Sequence, residues 1–321
     1  MSFEHDVVAP VRAFLGRPVR LPTGATWSFE RDGGAPVLRL EMDAGQLARN
    51  LQTNQAAALF FLLCFGYWLA RARGVDPQLR VDVVGTPPTQ KGPLRHYHRS
   101  WIALEALEAA MGDRLEVGGA PAQRWPERPV FNAPLVDRGT SDGSGGGREH
   151  KVEVALTQSP EAAEGFSALH APIVGFRRQL PLGLFEAEVA KKNYWTPGSG
   201  AQADLWSTSP DGDVFHLFEL KVSGNTQVGV IPELLTYAWL LHRARVGLDG
   251  GARFGGGGPG VHAARAAQRI VGWIVAPAVH PLVAHNGRGP LEWLNAGLAP
   301  DLEFRLVTFD EGGDAGFGGW G

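Results

Sequence analysis

The chain has 321 residues, 44% of them hydrophobic, and a formal net charge of −3 at pH 7. That length suits about two domains of about 150 residues each, while the charge makes no global electrostatic case for or against a nucleic-acid partner and leaves a local basic face open. The single cysteine, Cys64, excludes an intramolecular disulfide framework and a cysteine-based zinc site, and its apolar neighbours mark it as a buried, inert thiol. Of 30 basic residues only five are lysine, at 91, 151, 191, 192 and 221. The chain writes its positive charge as arginine, so a lysine inside an apolar strand stands out. The N-terminal Met-Ser-Phe-Glu-His-Asp lacks a basic n-region and an h-region, so no secretion signal is expected. The longest uncharged apolar run, 56–70, has 15 residues, short of the roughly 20 that cross a bilayer. A buried helix in a cytoplasmic protein, with no membrane segment, is the expectation.

In chain order, 36–42 has a strand pattern and 44–73 reads as one long helix, polar first and apolar later. "LRVDVVG", 79–85, alternates as a strand does. Pro87, Pro88 and Gly92 form a loop, and 96–112 reads as an amphipathic helix stopping at Gly112. A Pro-rich stretch leads to "GTSDGSGGGREHK", which has linker composition. The expected domains are therefore 1–138, an accessory or recognition domain; 139–150, a Gly/Ser-rich linker; and 151–321. Beyond it, "KVEVAL" fits a short strand or the start of a helix. Ser159-Pro160 opens a helix as N-cap and first residue. The stretch 176–190 leans to strand in its second half. Two runs, 203–208 and 214–222, flank the turn signal "SPDGD" and read as a hairpin. Pro232 starts a helix over 231–245. A Gly-rich loop, a buried strand "QRIVGWIVAPAV", a short helix "PLEWLNAGL" and a last strand "LEFRLVTF" follow. The Gly-rich tail from Gly312 reads as frayed, and no internal repeat is present.

The hairpin carries the functional signal. Glu219 and Lys221 interrupt an otherwise apolar strand and project to the same side, because side chains alternate faces. An ion pair that merely satisfies itself is the bland alternative, and it gains little over an apolar pair. Asp204 tips the reading: folding about a turn near residue 211 brings it level with 218–220. Two adjacent carboxylates repel unless a cation lies between them. A divalent ion held by Asp204, Glu219 and the backbone carbonyl of Leu220 answers this, with waters completing the shell as Mg²⁺ prefers. Lys221 would orient or deprotonate the attacking water, or neutralise phosphoryl oxygens, as a compact point charge that arginine replaces badly.

Asp204, then Glu219-Leu220-Lys221, then the Ile-Pro-Glu-Leu-Leu-Thr-Tyr-Ala helix, resembles the PD-(D/E)XK nuclease superfamily, which includes restriction endonucleases and many phage-defence nucleases. The likeness covers about 150–310, and Ala203 stands where the motif's name has proline. It implies an α/β fold: a restriction-endonuclease-like core, a mixed central sheet flanked by helices, with Asp on one strand, Glu-x-Lys on the next and a helix after it, joined to an N-terminal α/β accessory domain. It further implies a Mg²⁺- or Mn²⁺-dependent nuclease acting on nucleic acid, most readily DNA, with a role in prokaryotic phage defence. Such cores often add an upstream glutamate; Glu186 and Glu188 compete with Glu164. Glu233 and Tyr237, four residues apart on one helix face, either touch the site or cap and pack their helix. Asn225 reads as a turn residue. The accessory domain would recognise substrate, bind a protein partner or form a homo-oligomer. A non-catalytic nucleic-acid-binding or scaffold module that kept the fold is the rival, and a protein merely stabilised by the ion pair is a third reading.

Other signals are weaker. "GGGGPG", 255–260, lacks the Gly-Lys-Ser/Thr of a phosphate loop and reads as a flexible loop. His96 and His98 diverge on a helix, which disfavours a shared metal; with Arg95 and Arg99 they could instead contact phosphate. Ser199, Ser207 and Ser209 surround the hairpin, but no Gly-x-Ser-x-Gly elbow exists.

Overall fold

The computed structural model describes residues 2–32, 34–51, 53, 56–131, 147–197, 201–223, 227–298, 300–312 and 317–321. The fold is mixed α/β, with several sheets flanked by helices. Two compact units emerge: Met1–Arg124 with Gln227–Glu233 and Val279–Ala299, and Trp125–Thr226 with Leu234–Ala278 and Pro300–Gly321. The expected linker at 139–150 lies largely outside the described residues. Its last residues, from Arg148, are helical.

The first unit contains α1 (Ala9–Leu15), β1 (Thr26–Asp32), β2 (Ala35–Asp43), α2 (Ala44–Leu47), α3 (Ala58–Arg73), β3 (Gln78–Val84), α4 (Lys91–Met111) and β4 (Leu115–Gly118). Its sheet runs β1-β2-β3-β4, with an antiparallel β1–β2 hairpin and parallel β2–β3 and β3–β4 pairs. The parallel pairs require crossovers, which α3 and α4 supply. Residues 58 to 69 of α3 are all buried, as the apolar run demands. The helix lies so close to the sheet that a Cβ at Gly66 would sit 2.8 Å from Leu79 Cδ2. No helix among the described residues is long and apolar enough to cross a membrane. The single long helix expected over 44–73 is instead two. Asp43 and Gln46 form a reciprocal cap on α2, and the polar residues after it offer no apolar face to hold a continuing helix. β1 escaped the sequence pattern because Phe29 is its one buried side chain. Late in the chain, the helix Leu291–Leu298 joins this unit against α4.

The second unit contains β5 (Pro129–Phe131), α5 (Arg148–Gln158), α6 (Pro160–Leu169), β6 (Arg177–Pro181), β7 (Leu184–Glu186), β8 (Gln202–Thr208), β9 (Val214–Leu220), α7 (Val230–Val246, from Leu234 in this unit), β10 (Gly255–Gly256), α8 (Pro259–Ala266), β11 (Arg269–Ala276), β12 (Leu302–Asp310) and β13 (Gly319–Trp320). A six-stranded sheet runs β13-β12-β11-β9-β8-β6, and a small one runs β10-β5-β7. β6, β8 and β9 are antiparallel in sequence, then β9, β11 and β12 are parallel. The predicted hairpin is present: Gly212 takes φ 80°, and its N–H donates to the Ser209 carbonyl at 3.0 Å. One sheet face meets α5 and α6 in a core of Phe166, Phe218, Trp273, Leu205 and Leu220. Ser159 caps α6 by accepting from the Ala162 N–H at 3.1 Å. "KVEVAL" resolves as helix within α5. Two expectations fail here. The tail does not simply fray: Gly319–Trp320 pairs with β12, and Trp320 Nε1 donates to the Ala162 carbonyl at 2.7 Å. The run 255–260 is not only loop, because Gly255–Gly256 pairs with β5 and Pro259 starts α8.

Candidate active site

The β8–β9 register pairs Leu205 with Phe218. One step further along antiparallel strands sets Asp204 opposite Glu219, with both side chains on the face that Leu205 and Phe218 leave. The backbone ladder stops there, and a side chain takes over: Leu220 N–H donates to Asp204 Oδ2 at 2.7 Å. Lys221 follows β9 directly, its own N–H held by the Val275 carbonyl at 2.8 Å. Its Nζ donates to Glu219 Oε1 at 2.5 Å. Glu219 is 2% exposed and Lys221 5%. The three residues singled out by the sequence thus converge, with Leu220 among them.

The site has a second side that sequence reading missed. Helix α5 brings Glu149 and Glu153, one helical turn apart on one face. Glu149 Oε1 lies 3.6 Å from Lys221 Nζ, is buried, and has no hydrogen-bond partner among the described residues. Glu153 accepts from Arg178 of β6 at 3.0 and 3.2 Å, and Arg178 Nη2 also meets His150 Nδ1 at 2.8 Å. The start of α5 is tied down beside it. Glu311 pairs with Arg148 at 2.9 Å and accepts from the Ser223 N–H at 2.8 Å. One carboxylate therefore fixes both the helix that carries Glu149 and the segment that follows Lys221. The available signal was the four-residue spacing of Glu149 and Glu153 around the buried Val152 and Leu156. Reading Gly-Arg-Glu-His-Lys as the end of a linker concealed it.

Four carboxyl groups, Asp204, Glu219, Glu149 and Glu153, thus gather round Lys221 and Arg178. Desolvation pushes the Asp204 carboxyl up to about 8; Lys221 and the Leu220 N–H pull it down, and Glu149 and Glu153 add to the rise. Asp204 as a whole residue is half-buried. Burial raises Glu153 too, against the pull of Arg178. Among the described residues, no three or more His, Cys, Asp or Glu side chains stand ready-arranged to hold a metal ion. The donor chemistry nonetheless fits a hard divalent cation, which takes carboxylate and carbonyl oxygens. As they stand, ammonium and amide protons balance Glu219 and Asp204.

The other candidates have separate surroundings. Glu186 ends β7 and accepts from the Glu127 N–H at 2.8 Å, and Arg128 Nε reaches it at 3.3 Å. There it ties the small sheet to the segment before β5. Glu188 is exposed and pairs with Lys192 at 3.6 Å. Glu164 is an exposed residue of α6 lining a surface cavity of about 520 Å³ with Ser159, Ser167 and Phe176. Glu149 and Glu153, rather than these three, are the glutamates that stand beside Lys221 and Asp204. Glu233 and Tyr237 are buried on α7. Ser207 donates to the Gly175 carbonyl and Ser209 caps the hairpin turn, which suits no nucleophile; Ser199 and Asn225 lie outside the described residues. Cys64 is fully buried, and burial raises its thiol pKa, as an inert role requires. Set against protein-family models, curated proteins and solved structures, the chain matches none.

Proposed function

We propose that the second unit is a metal-dependent nuclease of the PD-(D/E)XK type that hydrolyses phosphodiester bonds of nucleic acid, DNA first among substrates. One observation carries the reading: Asp204 and Glu219 oppose each other at the end of two adjacent interior strands, Lys221 sits on Glu219, and α7 follows. Asp204, Glu219 and the Leu220 carbonyl would hold Mg²⁺ or Mn²⁺. When bound, the cation supplies Lewis acidity toward the phosphoryl oxygens. Lys221, released from Glu219, orients the attacking water or neutralises a phosphoryl oxygen. Glu149 keeps the ammonium in place, and Arg178 holds Glu153 beside it.

A non-catalytic module is the second reading. The direct Lys221–Glu219 bond favours it, since it offsets the two charges without a metal. Plasmid cleavage with Mg²⁺ or Mn²⁺, with and without chelator, separates the two. Cleavage should require the metal and fall about a thousandfold or more in Asp204→Asn, because a metal's charge stabilisation is worth several kcal/mol. No cleavage by wild type, or equal cleavage by the variant, overturns the proposal.

A further inference from the structure

The first unit holds a buried charge that no carboxylate balances among the described residues. Arg99 on α4 is 5% exposed, the one arginine so deeply buried among the described residues. It donates to Asn50 Oδ1 at 2.9 Å. Its Nε is buried with no hydrogen-bond partner, and no carboxylate pairs with it among the described residues. A buried guanidinium without an anion is a costly arrangement. One turn earlier, His96 has a buried Nδ1 that also lacks a hydrogen-bond partner. Burial and the Arg99 charge push this imidazole down to about 4, so it is neutral at pH 7.

The surrounding sequence sharpens the imbalance. The first half of α4 carries Lys91, Arg95, His96, His98 and Arg99, and no acidic residue precedes Glu105. The segment 44–73, which supplies Asn50 and also Arg49, has no Asp or Glu at all. Arg95 and Arg99 are four residues apart and His96 and Arg99 three, so they share a helix face.

We propose that this face of α4 is a binding site for a phosphate oxyanion, with Arg99 as its anchor and His96 and Arg95 beside it. The planar guanidinium fork matches phosphate oxygens in pairs. The ligand supplies the missing negative charge. The same chemistry occurs in inorganic or terminal phosphate and in a nucleic-acid backbone. The inference does not depend on the chemistry assigned to Asp204.

The test is thermal stability and equilibrium binding in chelator-containing buffer, at constant ionic strength. The probes are inorganic phosphate and a short single-stranded oligonucleotide without a terminal phosphate, with chloride as the control. Wild type should be stabilised by at least one probe beyond chloride: phosphate alone assigns a free or terminal phosphate, and the oligonucleotide assigns a backbone phosphate. Arg99→Met removes the unbalanced charge. It should fold at least as stably as wild type without ligand and bind the active probe about tenfold or more weakly. Arg99→Lys, which keeps the charge and loses the fork, should lose most of the response and serves where the Met variant does not fold. Wild type that answers neither probe, or a folded variant that responds as wild type does, overturns the assignment.

Discussion

Charged side chains stand on strands in both units, in opposite circumstances. In the first unit Arg39 of β2 reaches Asp82 of β3 at 2.7 Å, and Arg80 of β3 reaches Glu116 of β4 at 2.9 Å through Nε. Each of these two arginines has its own carboxylate, and the side chains stay partly in water. In the second unit Glu219 and Lys221 are buried, and further carboxyls crowd round them. A matched, wet pair contributes little. A buried, unequal cluster costs stability, so its presence calls for a reason beyond stability. The distinction lies in burial and charge balance, not in the number of ion pairs.

Substitutions at the two places should therefore behave differently. The largest contrast after loss of Asp204 itself is at Lys221. Lys221→Arg keeps the charge but brings a bulky planar group that cannot give up a proton, and single-turnover cleavage should slow by about a hundredfold or more. Calorimetry should find Mn²⁺ binding intact in the same preparation. A fully active arginine variant would reduce Lys221 to a counter-ion and merge the two kinds of pair. Next comes Glu149→Gln, which removes a carboxylate close to Lys221. A loss of about tenfold in rate is expected, at the low end for a group that supports a metal site. An unchanged rate would make α5 a bystander.

Stability should move in the opposite direction from activity. The Asp204 carboxyl rises from an ordinary value near 4 to about 8 on folding, so the folded state holds its proton more tightly. Below about pH 4 both states are protonated and the group costs nothing; the cost grows as pH rises towards 8. Asp204→Asn should therefore melt above wild type at pH 8, in chelator, with the gap closing towards pH 4. A variant that melts lower at pH 8 would contradict the strain assigned to this carboxyl. The smallest effect belongs to the first unit: Arg80→Ala should cost below about 1 kcal/mol in denaturant unfolding. A large loss there would show that the wet pairs matter more than their exposure suggests.

The hairpin and its charges were legible because local rules act within 20 residues: alternation fixes the face of Glu219 and Lys221, and the turn fixes the register that brings Asp204 opposite. The late helix, the buried strand and α7 were legible through apolar pattern and proline placement. What tertiary pairing decides was not. β1 is a polar strand defined by its partner, β13 by its docking on β12, and Glu149 by the folding of α5 beside β9. Nor could composition reveal that the first unit takes back 279–299, since contact across such a separation leaves no periodic trace in the chain.

The central claim is that the Asp204 and Glu219 carboxylates converge on a divalent cation. Anomalous diffraction from a crystal soaked in Mn²⁺ tests it most directly. The account predicts one strong peak between the carboxylates of Asp204 and Glu219, with Lys221 Nζ turned away from Glu219 Oε1. No peak there at saturating Mn²⁺, with the Lys221–Glu219 bond still closed, would contradict it.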